Sequence, residues 1–109
     1  EWKPDVVMIV NYSDFNLKLA SSAKRVGVPT LFYIPPQVWA WREGRVKKIK
    51  EVVDIPALIF PFEKDFYEKH GVRNAVYVGH PFSDFMNGMS ETPPDERSSL
   101  RKKYSLPDR

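Results

Sequence analysis

The chain has 109 residues, enough for one small domain that is only marginally stable alone. Apolar residues make up 42% and charged residues 28%, so it reads as globular rather than disordered. It holds no cysteine, which excludes disulfides, thiolate metal sites and cysteine nucleophiles and fits a reducing compartment. No apolar run approaches the ~20 residues of a transmembrane helix. The opening Glu1-Trp2-Lys3-Pro4 shows neither signal peptide nor initiator methionine, so we expect a piece of a longer protein.

The net charge is +3, unevenly placed. The segment 42–50 holds Arg42, Arg45, Lys47, Lys48 and Lys50 against Glu43 alone, more than the whole excess. Such a run meets phosphates of a nucleic acid, a sugar nucleotide or a lipid surface, or is a solvated helix face.

In chain order, residues 5–10 open on Asp5 and continue as an apolar run rich in β-branched residues, the pattern of a buried parallel strand. Asn11 and Tyr12 turn the chain, Ser13 is placed to cap a helix, and Asp14 suits its positive end. Phe15, Leu19, Ala23 and Val26 form the helix's apolar stripe, and Gly27 ends it. A second strand spans 30–34 and stops at Pro35-Pro36. An aromatic-rich loop follows over 37–44. A helix over 45–53 turns Val46, Ile49 and Val53 inward. Residues 57–60 form a third strand, 63–70 a helix stopped by Gly71, and 75–78 a fourth strand before Gly79-His80-Pro81. Residues 86–94 read as a linker, and 95–104 as a polar helix whose stripe, Leu100 and Tyr104, is thin.

Strands alternating with helices over short connections predict an α/β fold with a parallel sheet flanked by helices. Ligands of such sheets bind beyond the carboxyl ends of the strands. The residues there are Asn11, Ser13 and Asp14; Gln37 and Trp39; Glu63; and His80. Each also has a structural reading: Asp14 and Glu63 at helix starts, His80 as a hydrogen-bonded structural residue. Trp39 and Trp41 share a face in an extended stretch, as core or as site wall. The chain has no dinucleotide or phosphate-loop glycine motif, no nucleophile elbow and no metal-ligand spacing. A nucleic-acid reading rests only on the basic run and the two tryptophans.

One pattern is more specific. Lys3-Pro4-Asp5, the run from Asn11 to Asn16, and Pro36-Gln37-Val38-Trp39-Ala40-Trp41-Arg42-Glu43-Gly44-Arg45-Val46 occur in order. Phe60-Pro61-Phe62-Glu63 with Phe66-Tyr67, then His70-Gly71-Val72 and Val78-Gly79-His80-Pro81 extend it, covering residues 3–85. The chain resembles the lipid-A-disaccharide synthase family of bacterial GT-B glycosyltransferases.

The resemblance implies that 1–85 is a Rossmann-like half-domain on the acceptor side of a two-domain enzyme. Residues 86–94 would then link to a helix over 95–109 that leads toward a donor-binding domain outside this chain. It implies transfer of 2,3-diacylglucosamine from UDP to 2,3-diacylglucosamine 1-phosphate, giving the β-1,6-linked lipid A disaccharide. The enzyme would be peripheral to the inner face of the cytoplasmic membrane, with lipid substrates and no nucleic-acid partner. No metal or cofactor is expected, the UDP-sugar being a substrate. An anionic lipid acceptor gives Trp39, Trp41, Arg42 and Arg45 a function. The family pattern has its candidate base, an Asp, where this chain has Asn11. An amide cannot take a proton as a carboxylate does, so Asp14 or Glu63 is the base, or the chain is altered or inactive. The rival reading is a basic Rossmann-like module that binds nucleic acid or anionic membrane without catalysis.

Overall fold

A computed structural model describes residues 3–88 and 94–105. It is an α/β structure built on a four-stranded, all-parallel sheet in the order β1-β2-β3-β4. The elements are β1 (Val7–Val10), α1 (Ser13–Arg25), β2 (Thr30–Tyr33), α2 (Arg45–Val52), β3 (Ile55–Leu58), α3 (Pro61–Lys69), β4 (Val76–Tyr77), α4 (Pro81–Gly88) and α5 (Pro94–Lys103). No helix among the described residues is long and apolar enough to cross a membrane.

The register places Ile9, Thr30, Phe32, Pro56 and Leu58 on one face, all buried. With Leu17 and Ala20 of α1, Val46, Ile49 and Val52 of α2, and Tyr67 of α3 they form the core. The other face carries Met8, Val10, Ile55 and Val76, all exposed, with Leu31 and Tyr33 half-buried and small Ala57 buried between them. A monotonic strand order joined by right-handed crossovers puts every connecting helix on one side. The first strand is therefore covered on one face only, and Met8 is 60% exposed instead of buried as its composition predicts.

Helix α1 corrects a second expectation. Its buried residues are Asn16, Leu17, Ala20 and Ala23, while Phe15, Leu19 and Val26 are exposed. Two alanines let the helix lie close to the sheet, and Asn16 must face inward to bond the end of β1. Leu19 and Val26 instead border a cleft of about 650 Å³ with Val7 and Val28 beside edge strand β1. Ser13 is not the cap: Tyr12 holds that position with no side-chain bond.

Both predicted glycine stops hold. Gly27 and Gly71 have φ of +71° and +77°, and the amides of Gly27 and Val28, and of Gly71 and Val72, close onto the last turns of α1 and α3. In α2, Val46, Ile49 and the following Val53 are buried as expected, with Val52 added. β3 begins and ends two residues before its predicted span. It starts early because Thr30 and Asp54 lock the α2–β3 corner: the Thr30 amide donates to Asp54 Oδ2 at 2.8 Å, and the Asp54 amide to Thr30 Oγ1 at 3.2 Å. It ends early because Glu63 takes the next two amides. α4 continues to Gly88, into the span read as a linker; 89–93 lie outside the described residues. Leu100 of α5 and Tyr104 just after it are exposed, in keeping with the thin stripe.

Two outcomes follow from these contacts. Thr30→Val keeps the shape but strips the hydroxyl from the Val52 carbonyl and the Asp54 amide. It should lower stability by about 1–3 kcal/mol in urea unfolding; a loss below a few tenths would show the corner is held otherwise. The 109-residue chain should also bind an apolar-surface dye such as ANS through the open sheet face. Paired Met8→Thr and Val10→Thr changes should reduce that signal, and an unchanged signal would move the dye site elsewhere.

Candidate functional site

Parallel strands deliver all their carboxyl ends to one edge, and the backbone there is unusual. Asn11, Tyr12, Ile34 and Arg42 have φ of 49°, 41°, 56° and 60°. Asn tolerates this left-handed region; Tyr, Arg and above all β-branched Ile do so at a cost of ~1–2 kcal/mol each. After β1 the pair Asn11-Tyr12 is held by Asn16, whose side-chain amide donates to the carbonyls of Val10 at 3.0 Å and Asn11 at 2.6 Å. The Asn11 carboxamide is left exposed, with no hydrogen-bond partner among the described residues.

After β2, Ile34 and Pro35-Pro36 turn the chain into the 37–44 loop. Amide bonds from Val38 to Pro36 and from Ala40 to Gln37 make this stretch a turn, and Val38 plugs the core. Trp39 and Trp41 therefore diverge instead of sharing a face. Trp41 joins Asn11, Ser13, Gln37, Arg42 and Arg45 around a pocket of about 630 Å³. Arg45 Nη2 donates to Asp14 Oδ1 at 2.5 Å, tying α2 to α1 beside the pocket; Asp14 itself is 78% exposed. Arg42 has no ion-pair partner among the described residues. The pocket thus offers one free guanidinium, one already paired, and short polar groups, a set suited to a phosphate or other anion.

Trp39 turns the other way. Its indole packs edge-on to Phe62 at 4.9 Å and Phe60 at 6.5 Å, and Phe60 reaches His80 at 5.4 Å. His80 Nδ1 accepts the Phe82 amide at the start of α4, which assigns its proton to Nε2, and its ring stacks on Phe82. It borders a smaller cavity of about 260 Å³ with Tyr33 and Asp84. The edge is thus divided: Asn11, Ser13, Gln37, Trp41, Arg42 and Arg45 meet in one pocket, while Trp39, Glu63 and His80 belong to the aromatic cluster beside it.

Glu63 is 1% exposed. Its Oε1 accepts Trp39 Nε1–H at 2.9 Å, and its Oε2 accepts the amides of Ile59 and Phe60 at 3.2 and 3.0 Å. Both oxygens are spent on fixed donors and neither faces the pocket, which removes the geometric case for Glu63 as a base. Burial, then the Glu63 charge, push the Tyr67 phenol well above its ordinary range, so its hydroxyl keeps its proton and donates to the Pro36 carbonyl at 3.3 Å. Sequence reasoning placed Asn16, Glu43, Tyr67 and His70 within the family motifs but gave none of them a site role, because a motif does not say what a side chain touches.

His70 places Nδ1 on the Phe66 carbonyl at 2.8 Å and Nε2 on Glu43 Oε1 at 2.7 Å. Two acceptors favour the doubly protonated ring. The Phe66 carbonyl and then Glu43 raise its pKa above 6.5 against a smaller opposing effect of burial. The Lys50 side chain of α2 reaches the neighbouring Gly71. The contribution to stability is therefore complete below the ordinary histidine pKa and is lost as pH rises through the raised folded-state value. The destabilisation by His70→Gln should be largest near about pH 5.5 and shrink above neutrality. A difference that stays constant across that range in thermal unfolding would remove the charged pair from the account.

With this geometry in place, comparison with known proteins is specific. A family model described as "Lipid-A-disaccharide synthetase" matches residues 1–105. A lipid-A-disaccharide synthase of Geobacter metallireducens is 57% identical over 81 residues, 74% of this chain and 21% of its own length. One from Trichlorobacter lovleyi is 53% identical over 76% of this chain and 21% of its own length. One from Anaeromyxobacter sp. (strain K) is 43% identical over 98% of this chain and 26% of its own length. The chain spans about a fifth to a quarter of the length of these relatives. A family match over residues 1–105 and relatives at 43–57% identity show that the chain belongs to the lipid-A-disaccharide synthase family.

Proposed function

We propose that this chain is the acceptor-side half-domain of a longer inverting glycosyltransferase. It would transfer 2,3-diacylglucosamine from UDP to O6 of 2,3-diacylglucosamine 1-phosphate, giving the β-1,6 lipid A disaccharide. The C1–O bond to UDP breaks as the O6–C1 bond forms, the hydroxyl proton passes to a base, and UDP leaves. The observation that carries the reading is the pocket at the sheet's carboxyl edge, where Arg42, with no ion-pair partner among the described residues, lies beside Arg45.

Arg42 and Arg45 are proposed to hold the acceptor phosphate, with Ser13 and Gln37 on sugar hydroxyls. Exposed Trp41 and the aromatic cluster of Trp39 and His80 would face the acyl-bearing side of the lipid. The donor would be gripped by a second domain of the longer protein, in keeping with the share of the relatives' length that this chain spans. No cofactor enters the proposal. The enzyme would work at the inner surface of the cytoplasmic membrane as a peripheral protein.

The base is the weak point of the set. Asn11 faces the pocket but cannot accept a proton. Asp14 is the remaining nearby carboxylate, and it is held by Arg45. Asp tolerates the same left-handed backbone as Asn, so Asn11→Asp fits without refolding the turn. In the longer protein, supplied with both lipid substrates, that change should raise kcat by roughly 10²–10⁴-fold. Equal turnover by both proteins, abolished by Asp14→Asn, would assign the base to Asp14. No disaccharide from either folded protein would sink the synthase reading.

A further inference from the structure

We propose that one face of α3 is a three-point clamp that positions the acceptor loop, with Glu63, Tyr67 and His70 as positioning residues. The three lie at i, i+4 and i+7 from Glu63, so they share one face of the helix and its end. Each grips a different part of the loop. Tyr67 holds the entry through the Pro36 carbonyl, Glu63 the middle through the Trp39 indole, and His70 the exit through Glu43. The pocket residues lie between the grips: Gln37 between the first and second, Trp41 and Arg42 between the second and third.

The strain in the loop says what the grips are for. Ile34 and Arg42, at its two ends, sit in the left-handed region. Such residues persist only where the surroundings over-determine them, and they collect where a side chain must be aimed. Arg42 is followed directly by Glu43, the residue His70 holds. Ile34 lies two residues before Pro36, the residue Tyr67 holds. The middle grip uses a buried carboxylate with no cationic partner among the described residues, a costly choice where packing alone was needed. Its rigid N–H···O geometry fixes the Trp39 ring plane, and with it the turn that sends Trp41 to the pocket.

The inference rests on the proposed acceptor site, and its test separates the two. Tyr67→Phe and Glu63→Gln would be made in the longer protein. Phe removes a single hydroxyl. Gln keeps the volume of Glu63 but cannot accept at both ends, so it must release either Trp39 or the two backbone amides. Hydrogen exchange at the amides of Val38 and Ala40 should speed up by about tenfold or more in either variant, with α1 and β2 unchanged. The dissociation constant for 2,3-diacylglucosamine 1-phosphate in detergent micelles should rise about tenfold, while that for UDP stays fixed. Unchanged loop exchange and acceptor affinity in folded Tyr67→Phe protein would overturn the clamp, whether or not Glu63→Gln folds. Equal loss of acceptor and UDP binding would also overturn it, as general damage. A wild-type protein that ignores the acceptor would count against the proposed function instead, and loop exchange alone would then decide the clamp.

Discussion

The buried carboxylate of Glu63 organises the part of this structure that matters for function. A carboxylate out of water is tenable only when its oxygens are satisfied, and here three N–H groups converge on it. Two of them are the backbone amides that would otherwise extend β3, so the strand stops at Leu58 and the chain turns into α3 at Pro61. Proline at the first helical position lacks an N–H that would need a partner there. The third donor is the Trp39 indole, 24 residues away in sequence. One ionised group thus ends a strand, starts a helix and anchors a loop.

Around that anchor the carboxyl edge combines stiffness with exposure. Asn16 holds the Asn11-Tyr12 turn from below, and α3 holds the 37–44 loop and the Pro36 before it from the side. The strained residues are distributed between these two supports. Between them the side chains of Asn11 and Arg42 have no hydrogen-bond or ion-pair partner among the described residues. Preorganised backbone carrying unsatisfied polar side chains is the arrangement that lets a site bind an anion without first reorganising.

The sheet is one-sided, and its order explains why. Four strands laid down in sequence direction put their helices on one face, leaving Met8, Val10, Ile55 and Val76 uncovered on the other. The cleft beside β1, bordered by Leu19 and Val26, is apolar in the same way. A chain that spans a fifth to a quarter of its relatives' length has less of its own polypeptide with which to cover such surfaces.

Much of this was legible from residues in order. Alternating apolar runs and helical stripes, punctuated by Gly27, Pro35-Pro36 and Gly71, specify strand and helix because those signals are local. Helix stops depend on one residue's φ, and the loop motif is a contiguous string. The family followed from that string, and the candidate pocket from the rule that parallel strands share a carboxyl edge. What depended on distant partners could not be read that way. Which face of α1 is buried was decided by Asn16 reaching two carbonyls at the end of β1, against the pull of Phe15 and Leu19. The divergence of Trp39 from Trp41 was decided by the backbone turn over 36–40 and by the Glu63 carboxylate of α3 that takes the Trp39 indole. The role of Glu63 itself was decided the same way: its position suggested chemistry, and three converging donors made it a brace. Local sequence determined the elements and their edge; the tertiary structure alone decided which polar groups are consumed in holding it and which remain free to act.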